Sequence, residues 1–308
     1  MPPVTTIVRV AAPATTANLG PGFDAAGLAL DWWDTIEARS GDPGLDATTM
    51  LVSGAEAELL PTGPGNLVRR AMAALADQLG LPLPAAHLSV VKGFPLGRGF
   101  GSSAAAVALG LLTARALLRP ELPDAAVLEL ATELEGHPDN VAPCLAGGAT
   151  LCWREAAQVR MTRVAVAERL TAVALVAATP LSTTAARRAL PAQVPFELAA
   201  ATAGRAALLA PALAGADELL LPATEDGLHQ PARLAMDAVA STALEALRAD
   251  GHAAFLSGAG PSLVVLCPAE QAAAVTAAAE RAVEGAEGWA VRPVGLTKVG
   301  AFASVQTG

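Results

Sequence analysis

The chain predicts an α+β fold in two lobes, on three observations. Candidate strands and helices follow one another without the steady strand–helix alternation of a parallel sheet. A buried strand followed by helices restarts the pattern after about residue 158. The 308 residues are comfortable for two domains. The expected division is 1–158 and 159–308, with no internal repeat or low-complexity linker at the joint.

Residues 4–12, VTTIVRVAA, alternate as a strand and stop at Pro13. The loop PATTANLGPGFD follows, then a second strand in AAGLALDWWDTIEARS that turns near Gly41–Gly44. GNLVRRAMAALADQLGL has helical periodicity and ends at Gly80, a C-terminal cap. HLSVVKGF is a strand, and GFPLGRGFGSSAAAVALGLLTARA is a loop running into a helix that ends before Pro120. PDAAVLELATELEG is a helix with Asp124 placed to cap it. DNVAPCLAGGATLCW turns back through Gly147–Gly148 into a strand. Beyond residue 158, LTAVALVAATP is a buried strand and STTAARRAL a short helix. PFELAAATAGRAALLAPAL and QPARLAMDAVASTALEALRADG read as one helix each. AFLSGAGPSLVVLC is strand, glycine turn, strand; AEQAAAVTAAAERAVEGA is a surface helix, and WAVRPVGLT a closing strand.

Composition narrows the function classes. Hydrophobic residues make up 53% of the chain, aromatics only 3%, and tyrosine is absent, which suits an alanine-rich soluble enzyme. The uncharged run Gly99–Ala114 holds glycines and serines and falls short of the ~20 residues of a membrane span. The start, MPPVTTIVRV, lacks a secretory pattern, so the cytoplasm is expected. A formal charge of −9 without a basic run argues against nucleic acid as a main partner. Cys144, Cys152 and Cys267 form no CxxC pair and read as buried thiols. His87, His137, His229 and His252 lack zinc spacing. The two lysines, Lys92 and Lys298, lie in no cofactor motif.

The chemistry concentrates in PLGRGFGSSAA (Pro95–Ala105). A helix start leaves its first N–H groups unpaired and carries roughly +0.5 of an elementary charge. Glycines ahead of it let a phosphate reach those groups. Ser102 and Ser103 add hydroxyls for phosphate or magnesium. A Walker loop fails because no lysine follows Gly101. A protein-kinase glycine loop fails because a helix follows. Gly99, Gly101 and Ala104 meet the dinucleotide fingerprint formally, but no βαβ unit surrounds them. On spacing alone, a phosphate cradle and a glycine-rich structural turn both remain.

PLGRGFGSSAA resembles the ATP-phosphate loop of the GHMP small-molecule kinases. Phe94 and Phe100 stand where that loop usually carries small aliphatics and leucine. PATTANLGPGFD (Pro13–Asp24) resembles the family's amino-terminal substrate loop, and SGAGPS (Ser257–Ser262) its carboxy-terminal glycine loop. The three come in the family's order over most of the chain. EGHPDNVAP (Glu135–Pro143) and NLGPGFD are similar to the branch that phosphorylates homoserine.

The resemblance implies a ribosomal S5 domain 2-like first lobe, a ferredoxin-like second lobe, ATP and Mg2+ as cofactors, and L-homoserine as acceptor. A homodimer fits the family. The nucleotide falls to Pro95, Leu96, Gly97, Arg98 and Gly99, then to Phe100, Gly101, Ser102, Ser103, Ala104 and Ala105. Asn66 either borders the nucleotide pocket or caps its helix. Magnesium falls to Ser102 or Ser103 with a glutamate of the following helix, chosen as Glu133 over Glu129 and Glu135. For the amino acid, Asp24 suits the ammonium, and Asn18 the hydroxyl or amine. Arg187 and Arg233, with fork-shaped donors, suit the carboxylate. Thr183 adds a hydrogen bond and Gly260 close backbone approach. His137, Asp139 and Asn140 line the acceptor pocket, with Asp139 left open between general base and positioning group.

Overall fold

In the computed structural model, which describes residues 5–42, 45, 47–156 and 158–308, the first strand runs through its proline. (Val4 and Gly44, assigned above to a strand and a turn, lie outside the described residues.) Strand β1 (Thr6–Ala17) pairs antiparallel with β2 (Ala26–Ser40), with a register shift at Pro13/Ala14. Proline has no N–H for the ladder, so the strand bulges there instead of ending. The NLGPGFD loop therefore closes a long hairpin.

Strand β3 (Thr49–Gly54), helix α1 (Leu67–Leu79) and strand β4 (Ala86–Lys92) follow. β4 lies antiparallel to β2 and parallel to β3. β3 escapes a reading of the sequence because Met50 is its only buried residue. Helices α2 (Ser102–Leu118), α3 (Asp124–Glu135) and α4 (Pro138–Ala146) lead to the hairpin of β5 (Ala149–Glu155) and β6 (Gln158–Val164). α1 is capped as expected: Asn66 accepts the Val68 N–H at 2.9 Å, and Gly80 is left-handed. Asp124 is not a cap. It is the first residue of α3, and its carboxylate takes Arg115 Nη1 at 2.6 Å. Pro138 begins α4, since a first-turn position needs no N–H.

The second half holds β7 (Leu170–Val176), α5 (Thr183–Arg188), α6 (Phe196–Ala207), α7 (Leu209–Ala214), α8 (Leu220–Ala223), α9 (Gln230–Leu234) and α10 (Ala238–Ala249). After these come β8 (Ala253–Leu256), β9 (Leu263–Pro268), α11 (Ala272–Ala282), β10 (Ala290–Pro293) and β11 (Phe302–Thr307). Two stretches expected as single helices are broken. Phe196–Ala214, apolar and long enough by composition to cross a bilayer, divides at Leu208 into two helices. The other divides where Asp237 accepts the Ala240 N–H at 2.9 Å and starts α10 afresh.

Two sheets result. The first has the order β11-β1-β2-β4-β3, with β5 beside the start of β2 and β6 beyond it; the second is antiparallel, β10-β7-β9-β8. Residue 158 opens β6, and β11 returns from the far end of the sequence to pair with β1. Both strands beyond the expected division thus complete the first sheet. One hydrophobic core runs from β1, β2 and α2 into Leu170, Phe255 and Val264 of the second half. A second lies between β7–β9 and helices α10 and α11. Phe94 and Phe100 are buried in the first core, each 5.7 Å from Trp32. The aromatic departure from the family loop anchors that loop from below.

Candidate active site

The three glycine motifs interlock. Ser257 Oγ donates to Gly99 O at 2.7 Å, Thr15 N to Phe100 O at 3.1 Å, and Gly258 N to Ala17 O at 3.2 Å. Two glycines are required by this proximity. Gly99 has φ +89°, and a Cβ there would lie 2.1 Å from Ser257 O. Gly101, the residue before α2, has φ +66°, and its Cβ would lie 2.0 Å from Thr15 Oγ1. Asn18 ties the loops further, donating to Gly258 O at 2.9 Å and accepting Asp24 N–H at 3.1 Å. Its amide is a strut between the first and third motifs.

A cavity of about 300 Å³ opens at the start of α2. Asp24, Arg187, Arg233, His137, Asp139 and Glu135 give its polar walls, and Gly99, Gly101, Ser102 and Ser103 line one end. Asn18, Asn140, Thr183 and Gly260 also line it. The residues that sequence reasoning assigned to the acceptor therefore converge, from both halves of the chain. Arg233 is 4% exposed, with Nη1 on Gly258 O at 3.0 Å and Nε without a partner. Arg187 grips Asp24 through both forks, at 2.9 and 2.7 Å.

Asp139 is buried, with Oδ1 accepting from His137 Nδ1 at 2.6 Å. That bond raises the His137 pKa above its usual value, against the opposing effect of burial. A raised folded value stabilises the protein fully below the unfolded value of about 6.5 and ceases to do so as pH rises through the folded one. His137→Gln is accordingly expected to lose most denaturant stability, relative to the parent, at acid pH. The deficit should shrink as pH rises; a deficit constant from pH 5.5 to 9 would show that the charge on His137 contributes nothing.

Several assignments are corrected. Glu133 is exposed, whereas Glu135 lines the cavity and accepts a hydrogen bond from Ser103 Oγ. At ~100° per residue, positions two apart on a helix face away from each other. Glu129 instead takes the Val159 N–H at 3.0 Å. Burial pushes the Glu135 carboxyl above its usual range. Arg98 does not reach the cavity: it bonds Leu96 O, Ala177 O and Ala178 O at 2.9–3.0 Å and pairs with Glu56 at 2.6 Å. Glu56 also accepts Leu96 N–H at 2.7 Å, so this pair staples the loop to both sheets. Ala105 N already donates to Gly101 O at 2.9 Å, the first helical bond. The unpaired donors therefore end at Ala104. The Phe100, Ala104 and Ala105 side chains are buried, and Pro95 lines neither this cavity nor the next.

A second cavity, about 290 Å³, adjoins the first and shares Gly97, Ser102 and Ser103 with it. Its walls are mostly apolar, among them Val52, Leu67, Val90, Leu96 and Leu109. Asn66 borders it while capping α1, and so does Lys92. Lys92 is buried, paired with Asp34, and donates to Ser102 Oγ at 3.0 Å; Asp34 also accepts Gly93 N–H at 2.8 Å. Sequence reasoning missed Lys92, Asp34 and Glu56. A signal existed for two of them. Asp34 follows the inward alternation Trp32, Ile36, Ala38, and Lys92 the inward alternation Leu88, Val90.

Comparison with known proteins decides the family. The model for the GHMP kinase N-terminal domain matches residues 66–148, and that for the C-terminal domain residues 199–285. The homoserine kinase of Streptomyces coelicolor is 44% identical over 96% of this chain and 93% of its own. The chain belongs to the homoserine kinases of the GHMP family. The homoserine kinase of Streptomyces avermitilis is likewise 44% identical, over 96% of this chain and 94% of its own. The crystal structure of the Cytophaga hutchinsonii homoserine kinase matches this kinase with a TM-score of 0.83 at 28% identity, covering 97% of both chains. The mevalonate kinase of L. major shares the fold, with a TM-score of 0.72 at 17% identity over 93% of this chain and 94% of its own. The two-lobed α+β architecture expected from the sequence is thus that of the GHMP kinases.

Proposed function

We propose that this kinase transfers the γ-phosphoryl group of ATP to the side-chain hydroxyl of L-homoserine, giving O-phospho-L-homoserine. One observation carries the reading. An apolar cavity and a zwitterion-lined cavity meet at Gly97, Ser102 and Ser103, at the open start of a helix. The purine side of ATP suits the apolar cavity, and the N–H groups of Gly101 to Ala104 suit its phosphates. Asp24 takes the acceptor's ammonium, and Arg233 and Arg187 its carboxylate, displacing the Asp24–Arg187 pair. The hydroxyl oxygen bonds to phosphorus as the bond to ADP breaks, and the hydroxyl proton leaves late, to water. Because that transition state is loose, Asp139, steadied by His137, serves by orienting the hydroxyl.

Magnesium, when bound, neutralises phosphate charge. It takes one or two carboxylates and completes its shell with water and phosphate, so Ser103 Oγ and Glu135 fit it. Among the described residues no cluster of three acidic, histidine or cysteine groups offers a fuller cage. A cytoplasmic enzyme with small-molecule substrates, without nucleic-acid or membrane partners, belongs to the same proposal, as does a homodimer.

ADP release measured with homoserine, mevalonate, galactose, shikimate and phosphomevalonate tests the acceptor. Turnover confined to any acceptor but homoserine overturns it. Arg233→Ala removes a charge-assisted bond of about 1.5–3 kcal/mol, so the homoserine KM is expected to rise about 10- to 100-fold with nucleotide affinity unchanged. Equal loss of both affinities would assign Arg233 a structural role.

A further inference from the structure

We infer that His229 is a positioning residue that holds Arg233 in place for the acceptor's carboxylate. This rests on the acceptor reading above and adds a residue outside the three glycine motifs.

His229 has a fully buried side chain. Its Nε2 lies 2.8 Å from Gly20 O, and its Nδ1 3.3 Å from Arg233 Nη1. A carbonyl oxygen only accepts, and a guanidinium only donates. The ring is therefore neutral, with its proton on Nε2 and a lone pair on Nδ1 facing the arginine. Burial lowers the His229 pKa, in keeping with that form. One imidazole thus links the amino-terminal substrate loop to Arg233.

The surroundings fix the ring. Phe23 of the same loop stacks on it with centroids 5.0 Å apart, and the Arg233 and Arg187 Cζ atoms lie 5.3 and 5.4 Å from the Phe23 centroid. Asp226, its side chain also buried, accepts the N–H groups of Leu228, His229 and Gln230 at 2.8–3.0 Å and so orders the turn that leads into α9. Gln230 Oε1 accepts Leu256 N–H at 2.7 Å and fastens α9 to β8. The helix is thereby tied to the turn before it and to β8, while its arginine side chain lines the cavity. Nη1 is held by His229 and Gly258 O, which steers the rest of the fork. Without the imidazole acceptor, a buried guanidinium with an already unpartnered Nε loses a second contact.

His229→Leu and His229→Gln test this, because a glutamine amide can both donate to Gly20 O and accept from Arg233. Three quantities are measured: kcat and KM for homoserine, the ATP dissociation constant, and competitive inhibition by 3-aminopropan-1-ol, which has the alcohol and ammonium without the carboxylate. His229→Leu is expected to raise the homoserine KM about tenfold, the equivalent of one modest hydrogen bond. kcat, ATP binding and inhibition by the amino alcohol should stay near the parent's, and His229→Gln should restore most of the KM. If the leucine variant does not fold, His229→Asn, too short to span both partners, replaces it and should show the same selective rise. Equal weakening of homoserine and the amino alcohol, an unchanged KM, or no recovery with glutamine would overturn the inference. A parent enzyme inactive on homoserine would overturn the acceptor reading, and this inference with it; a normal parent with unaffected variants overturns this inference alone.

Discussion

Glu135→Gln lowers kcat about 10²- to 10³-fold, the usual cost of removing a group that stabilises charge in the transition state. Its carboxylate meets Ser103 Oγ at the start of α2, where the function proposed above puts the transferred group and its metal. Burial has raised its pKa, and an arriving cation would reverse that by favouring the carboxylate form. Glutamine keeps the size and the hydrogen bond from Ser103 but not the charge. The magnesium concentration needed for half-maximal rate should therefore rise along with the loss in kcat. Glu133→Gln, on the exposed face of α3, should leave both within about twofold, as surface substitutions do. Steady-state kinetics over a magnesium titration distinguish the two glutamates. Loss in the Glu133 variant with a normal Glu135 variant would return the metal to the residue first chosen from the sequence.

Lys92→Met is expected to cost about 3–5 kcal/mol of folding stability, because it leaves the Asp34 carboxylate buried without its cation. The effect should reach the active site too. Lys92 holds Ser102 Oγ, and Asp34 holds Gly93 N–H, so the pair supports the glycine loop from beneath. Replacing both, Asp34→Leu with Lys92→Met, should return much of the stability, since a well-packed apolar pair is often as stable as a buried ionic one. It should not return kcat. Denaturant unfolding followed beside turnover checks both parts. Recovery of activity with stability would show that the pair only fills space.

The sequence placed the residues that line the cavity better than the boundaries of the elements that carry them. Asp24, Arg187, Arg233 and His137, which line one cavity, were legible through the family resemblance of the motifs around them; by residue type alone the two arginines read as surface helix residues. Glu135 was harder: choosing among three glutamates within seven positions needs the helix phase at its last turn, where Gly136 ends it. Arg98 looked available for phosphate because nothing local reveals that Glu56 and the carbonyls of Ala177 and Ala178, distant in sequence, engage it. Asp34 and Lys92 kept to the inward period of their strands, but a charge at a core position becomes informative only once the strands are known to be neighbours. β11 was invisible for a different reason. All six of its residues are exposed, so no hydrophobic alternation marks it.

That strand has a consequence for how the polypeptide is made. β11 pairs Thr307 with Thr6, so the partner of β1 is synthesised about 300 residues after β1 itself, at ~5–20 residues per second. Through most of translation the β1 edge lacks its neighbour, and a fragment cut at residue 158 would keep that bare edge and lose β6 as well. Splitting the enzyme there into co-expressed pieces would thus divide a sheet rather than separate two modules. A break within the loops before α6, away from both sheets, is the better place to seek fragment complementation.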